Sequence, residues 1–255
     1  MSGLILSGVD ALIAYGFELG SAPKWLDMPG RTTQSVAIPG RAGVTPLAAP
    51  QEQPRTLTLK GTIMGADAAD ARVKLDALKL ALVTAPLTIT FSDHPDRMVY
   101  ADPEGLSSPP AEMGSHIAKD LPVEITLQCM DPLSYDSAFT SLVIPSGQTI
   151  VLPMGTGPVL PLLSVSGAST NPTIILTDSN GNVWGEMYFN GLALSASDSL
   201  VVDCEAMTVR VDNANALSRW TAGDFIEIDP KDIKGARIQF GGGGTLSVAY
   251  RRSWR

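Results

Sequence analysis

Two histidines and two cysteines are all that the 255 residues contain. So small a stock argues against a zinc-type cluster, which needs several such ligands close together. Cys129 and Cys204 stand far apart, each at an apolar-phase position of an expected strand. Each reads as a small buried side chain rather than part of a disulfide framework, and a reducing cytoplasm suits that usage. Positive charge is also scarce: Lys+Arg 18 against Asp+Glu 26, for a net charge of −8. That balance provides no basic face to neutralise phosphates, so sequence-specific nucleic-acid binding is not expected. The one basic cluster, "RRSWR" from Arg251 to Arg255, reads as a solvated tail. No apolar run approaches the roughly 20 residues of a membrane span, so no membrane insertion is expected. The opening "MSGLILSGVDALIAYG" has neither a basic n-region nor a long apolar core, and does not read as a secretory signal.

What is present is material for a core and for turns. Hydrophobic residues make up 44% and charged residues 17%, enough to bury a core and too apolar for disorder. Gly 24 and Pro 19 suit a chain of many strands and turns. "RTLTLKGTI", Arg55 to Ile63, alternates: Leu57, Leu59, Gly61 and Ile63 share one face of a strand. In "GADAADARVKLDALKLALVTAP", Asp67 can cap a helix whose Ala71, Leu75, Leu78 and Leu82 form one apolar face. Asp70–Lys74 and Arg72–Asp76 are i,i+4 pairs, and Pro86 ends the helix. "LTITF", "RMVYA" and "LPVEITLQCM" follow as strands, the last pointing Leu121, Val123, Ile125, Leu127 and Cys129 inward.

Beyond "DPLSYDSAFTS" no helix is evident. Ten short candidate strands follow: "SLVIP", "QTIVLP", "LPLLSVSG", "PTIILTD", "VWGEMYF", "DSLVVDC", "MTVRVDN", "FIEID", "ARIQF" and "TLSVAY". Such spacing predicts an antiparallel sandwich. "ILTDSNGNVW" reads as a hairpin with Asn180-Gly181 supplying a left-handed turn. The fold class expected is mainly β with one α-helix: an α+β domain over residues 1–140, then an all-β domain over 141–255. Within the first, Asp27 to Arg55 is rich in breakers and reads as one long irregular segment. Its Val36, Ile38, Val44 and Leu47 are poorly suited to solvent, and an extended arm docking on a neighbouring subunit accounts for them.

"FSDHPDRMVYAD", Phe91 to Asp102, is the stretch that most resembles chemistry. Asp93, His94 and Asp96, with Asp102, Glu104 or His116, are of the types that bind divalent ions. A D-H-P-D run is also ordinary turn chemistry, and a loop between two strands is the reading adopted. "FGGGG" precedes a strand, not a helix, so it reads as a hairpin turn and not a phosphate cradle. There is no G-x-S-x-G, and two histidines leave little room for a Ser-His system. No catalytic, metal or cofactor residue is therefore assigned. Trp184 and Glu186 lie two apart in "NVWGEMYF" and share a strand face, a geometry open to sugar stacking, with packing the preferred reading for Trp184.

In order, "PGRAG", "RTLTLKGTI", "ADARVKLDALKLAL", "FSDHPDRMVYAD", "LPVEITLQCMDPLSYD", "GPVLPLLSVSGASTNPTIILTD", "LVVDCEAMTVRVDN" and "GDFIEIDP" resemble the distal tail protein of long-tailed, non-contractile bacteriophages. The resemblance implies an N-terminal belt domain and a C-terminal galectin-like β-sandwich. It implies a homo-hexameric ring, made in the bacterial cytoplasm, that joins the tail tube protein to the tail hub at the virion's host-recognition tip. Under it, Arg31, Val36, Ile38, Pro39, Gly40, Arg41, Val44 and Leu47 of the arm become interface candidates. Six copies would carry −48, a charge that repels DNA where it faces a lumen. The alternative is a carbohydrate-binding module contacting the host surface through Trp184 and Glu186. No His-x-Asn-x-Arg run occurs, so the galectin-like fold does not bring the galectin sugar signature.

Overall fold

The structure is a computed structural model that describes residues 3–21, 25, 27–37, 44–46, 51–84, 86–107 and 119–255. The chain divides into two compact units, Met1–Ser137 with Arg255, and Ala138–Trp254.

The first unit opens with β1 (Leu4–Leu6), β2 (Val9–Asp10), helix α1 (Ala11–Tyr15) and β3 (Phe17–Leu19). Four short strands follow: β4 (Arg31–Thr32), β5 (Ser35–Ala37), β6 (Val44–Pro46) and β7 (Gln51–Glu52). Then come β8 (Arg55–Met64), helix α2 (Ala68–Val83), β9 (Leu87–Phe91), β10 (His94–Ser107), β11 (Asp120–Cys129) and β12 (Ser134–Asp136). The main sheet is antiparallel in the order β2-β1-β9-β10-β11-β8-β3, with β12 on β10. Its hinge is β10, which pairs β9 through Ala101 and β11 from Asp102 onward, with a register shift between Pro103 and Gly105. A bulge there bends the strand and lets one sheet curl over its own core.

The alternation read in "RTLTLKGTI" is realised. Leu57, Leu59 and Ile63 are buried, while Gly61 leaves room for the Phe17 ring, which a Cβ would meet at 2.6 Å. Helix α2 is the long helix expected. Asp67 caps it by accepting from Asp70 N at 2.9 Å, and Ala71, Leu78 and Leu82 face the core. Asp70 pairs with Lys74 at 2.9 Å, whereas Asp76 pairs with Lys79, also at 2.9 Å. The single-turn helix α1 was not foreseen; five residues cannot display a 3.6-residue period. Its ends are nonetheless marked by an Asp10 N-cap and a left-handed Gly16.

The second unit contains no long helix. Its strands are β13 (Thr140–Pro145), β14 (Thr149–Val151), β15 (Leu162–Ser166), β16 (Ser169–Thr170), β17 (Thr173–Thr177), β18 (Val183–Tyr188) and β19 (Ala193–Leu194). They continue with β20 (Ser199–Asp203), β21 (Thr208–Val211), β22 (Ala214–Asn215), β23 (Ala222–Gly223), β24 (Arg237–Gly241), β25 (Thr245–Tyr250) and β26 (Ser253–Trp254). Two antiparallel sheets, β13-β25-β15-β20-β21-β22 and β14-β24-β17-β18-β23, enclose a core that includes Leu163, Ile174, Leu176, Phe189, Val202, Ile238, Phe240 and Val248.

Four expectations are corrected here. "FIEID" forms no ladder; only Ile228 bridges, to Val159. Ile226 and Ile228 are buried on either side of an exposed Glu227, so the alternation reports which side chains face the core, not strand pairing. The glycine run is not a hairpin turn. It carries the chain from β24 in one sheet to β25 in the other, passing so close to the β15–β17 connection that a Cβ on Gly244 would lie 2.5 Å from Ser166 O. In the "DSNGN" hairpin only Gly181, at φ +88°, is left-handed, and Asn180 is not. Asp178 closes the turn, its carboxylate accepting from Asn180 N at 2.8 Å and Asn182 N at 2.9 Å. This matches a three-residue loop of type I character ending in a left-handed glycine. Finally, "RRSWR" is no solvated tail. Ser253 is fully buried and donates to Pro158 O, and Arg251 sits 4.3 Å over the Phe139 ring.

Candidate assembly surface

The breaker-rich Asp27–Arg55 stretch, expected to be irregular, is a β-ribbon. β4 pairs β7 with Arg31 opposite Glu52, and β5 pairs β6 with Val36 opposite Thr45. Pro46 itself takes part in the second ladder, opposite Ser35, as a proline can on an edge strand. Arg31 lies in β4, its Nη2 3.2 Å from Glu52 Oε1. Val36 lies in β5 and is 42% exposed. Val44 pairs with Ala37 through the backbone. Ile38, Pro39, Gly40, Arg41 and Leu47 lie outside the described residues.

The ribbon's root is fixed by groups that the sequence reading passed over. Trp25 is buried, stacked on Phe91 at 5.0 Å and edge-on to His94 at 5.8 Å. Arg55 Nη1 donates to Trp25 O at 2.6 Å and, more weakly, to Asp27 O at 3.4 Å. Gln53 N donates to Gly30 O at 2.8 Å. Burial lowers the pKa of Arg55, with Cys129 and Asp131 opposing the shift. Its Nε and Nη2 are buried and, the nearby Cys129 thiol aside, have no hydrogen-bond partner among the described residues. Glu52 receives a second cation, Arg255, whose Nε lies 2.6 Å from its carboxylate. A lone tryptophan in a breaker-rich stretch, and an arginine opening an otherwise clean strand, were the available signals.

The stretch that looked chemical serves this root. β9 and β10 meet around Ser92 and Asp93, His94 pairs back with Phe91, and the register then shifts to pair Met98 with Thr90. Asp96 O accepts from Ser137 N at 2.8 Å. His116 lies outside the described residues. Among the described residues no three His, Cys, Asp or Glu side chains are placed to hold a metal ion. None of the helices described is long and apolar enough to cross a membrane.

Trp184 and Glu186 lie on the outer face of β18, opposite the buried Met187. Trp184 is 51% exposed, and Glu186 accepts from Tyr188 Oη at 3.0 Å. That contact raises the Tyr188 pKa.

Residues 20–129 match the phage tail protein RIFT-related domain, so the first unit carries a phage tail domain. Over its full length the chain superposes on the SPP1 Dit (gp 19.1) protein, described as a paradigm of the hub adsorption apparatus in phages infecting Gram-positive hosts. The TM-score is 0.79 at 16% identity, covering 100% of both chains. A chain of the phage p2 baseplate, in its activated conformation with Sr, matches at TM-score 0.58 and 9% identity, over 99% of this chain and 98% of that one. The same baseplate with Ca gives 0.55 at 8% identity, over the same shares of the two chains. No curated protein matches the sequence. Fold and domain match together support a structural component of the bacteriophage tail and baseplate. More particularly, they support a siphophage distal tail, or baseplate hub, protein.

Proposed function

We propose that six copies of this chain close a ring that joins the tail tube to the host-recognition tip, and that the chain has no catalytic role. In this reading residues 1–140 are the belt that forms the ring and residues 141–255 a galectin-like sandwich. Contacts would run head to tail from one copy to the next. The ring would assemble in the host bacterial cytoplasm and reside at the virion tail tip, between the tail tube protein and the tail hub protein. One observation carries the proposal. A ribbon carrying the exposed Val36 is anchored at a root of Trp25, Arg55 and Glu52, in a chain with the fold of a phage hub protein. Two exposed strand edges on an anchored ribbon are a template for a partner's sheet. Imaging native particles tests it: density for this chain should appear as a six-fold collar between tube and tip. Density elsewhere, or normal tails on particles lacking the chain, would sink it.

A second reading rests on Trp184. An exposed indole beside a hydrogen-bonded Glu186–Tyr188 pair suits stacking of a neutral sugar ring. Retention on a glycan array that disappears in Trp184→Ala would favour it, and absence of retention by the full chain would dismiss it.

A further inference from the structure

The six-stranded sheet ends in a cup that neither the ring nor the Trp184 face uses. β21 and β22 are joined by Asp212 and Asn213, both left-handed at φ +47° and +65°, and Met207 at φ +52° precedes β21. These are three of the five non-glycine residues with positive φ among those described. Positive φ at both Asp212 and Asn213 is the ordinary two-residue turn of a hairpin, here closing Val211 onto Ala214. Beside this turn lies a cavity of about 330 Å³, lined among others by Met207, Thr208, Arg210, Asn213, Asn215 and Leu217. That volume is at the lower end for a small-molecule site.

The one charged side chain lining the cup, Arg210, is a pure donor, and the two asparagine amides can donate beside it. Arg210 and Asn215 are register partners, so their side chains leave the same face of the sheet. Asn215 spends its carbonyl oxygen on Leu217 N at 3.1 Å, which leaves its amide N–H groups. No side chain among the described residues pairs with Arg210 or with the Asn213 amide. Two nearby carboxylates, those of Asp212 and Asp203, are engaged with backbone N–H groups. Asp212 accepts from Ser199 N at 2.8 Å, and Asp203 from Glu205 N at 3.0 Å and Ala206 N at 2.9 Å. Met207 and Leu217, 65% and 45% exposed, supply apolar flanks.

A guanidinium unpaired among the described residues, with two amide N–H donors beside it and apolar walls on either side, matches an oxyanion carried on a short hydroxylated carbon skeleton. The geometry points to this cup as a binding site for a phosphate- or carboxylate-bearing polyol or sugar. It lies on the sheet that does not contain Trp184, and it stands whether or not the ring forms.

Ligand-observed saturation-transfer NMR on the full-length chain tests it, with glycerol 3-phosphate and glucuronate as probes and glucose as the uncharged control. At least one anion should give a saturable signal well above that of glucose; which one does so separates a phosphate source from a carboxylate source. Arg210→Ala removes an exposed side chain and should weaken that anion by about tenfold or more. Asn213→Gly keeps the left-handed turn, because glycine accepts positive φ, and should weaken it several-fold. Silence from both anions, an equal signal from glucose, or an Arg210→Ala variant that binds as before would overturn the assignment.

Discussion

At Gly61 a missing Cβ decides how two strands meet. A methyl there would lie 2.4 Å from Glu18 O and 2.6 Å from the Phe17 ring, so β3 could not stay on β8 as it is. Gly61→Ala should therefore cost roughly 1–3 kcal/mol in chemical denaturation, the range of overpacked cores. Gly105→Ala, with nothing within 4 Å of the new methyl, should stay within about 0.5 kcal/mol. The cysteines give a second test. Both are buried and free, and burial pushes the Cys204 thiol up to about 12 and raises Cys129 as well. At pH 8 a thiol reagent should find neither in the native chain and both after unfolding; reaction of native Cys204 would contradict its burial. The Asp178 carboxylate is held below its ordinary 3.8 by Asn182 first, with the Asn180 backbone and Trp184 adding to the effect. A depressed carboxylate stabilises the fold above its unfolded pKa, and loses that contribution as pH falls through the folded value. Asp178→Asn should accordingly flatten the loss of stability below about pH 4.

Elements were legible where a pattern was long enough to repeat. Helix α2 announced itself through Asp67 and the Ala71–Leu82 face, and Asp67→Ala should cost about 1 kcal/mol, read as a lower denaturation midpoint. β8 and β11 were equally plain, because their inward residues alternate without a break. The ribbon was not, since Pro39, Gly40, Gly43, Pro46 and Pro50 obscure pairings as short as two residues. Its root was invisible for another reason. Trp25 and Arg55 are 30 residues apart, and their bond joins the start of β8 to a residue whose ring stacks on Phe91 of β9. Arg55→Leu should release the ribbon while sparing the sheet. Amide hydrogen exchange should then quicken in residues 30–37 and 51–53 and stay slow in Leu57–Ile63. Uniform quickening across both regions would mean that Arg55 supports the sheet at large, not the ribbon.

For the whole molecule, the order of motifs along the chain pointed to a phage tail component before any contact was known, and the full-length fold agrees. What the sequence could not supply was the partner. A surface built to meet another copy carries no internal pairing by which to read it, and the apolar arm residues could only be called unsatisfied. The account comes down to whether this chain is a ring-building block. Native mass spectrometry of the purified full-length chain at micromolar concentration puts the question directly. Six chains of 26.8 kDa predict a species of about 161 kDa, which should be lost on replacing Val36 and Arg31 together. A single 26.8 kDa species at every concentration, with the same result in extracted tails, would contradict the account.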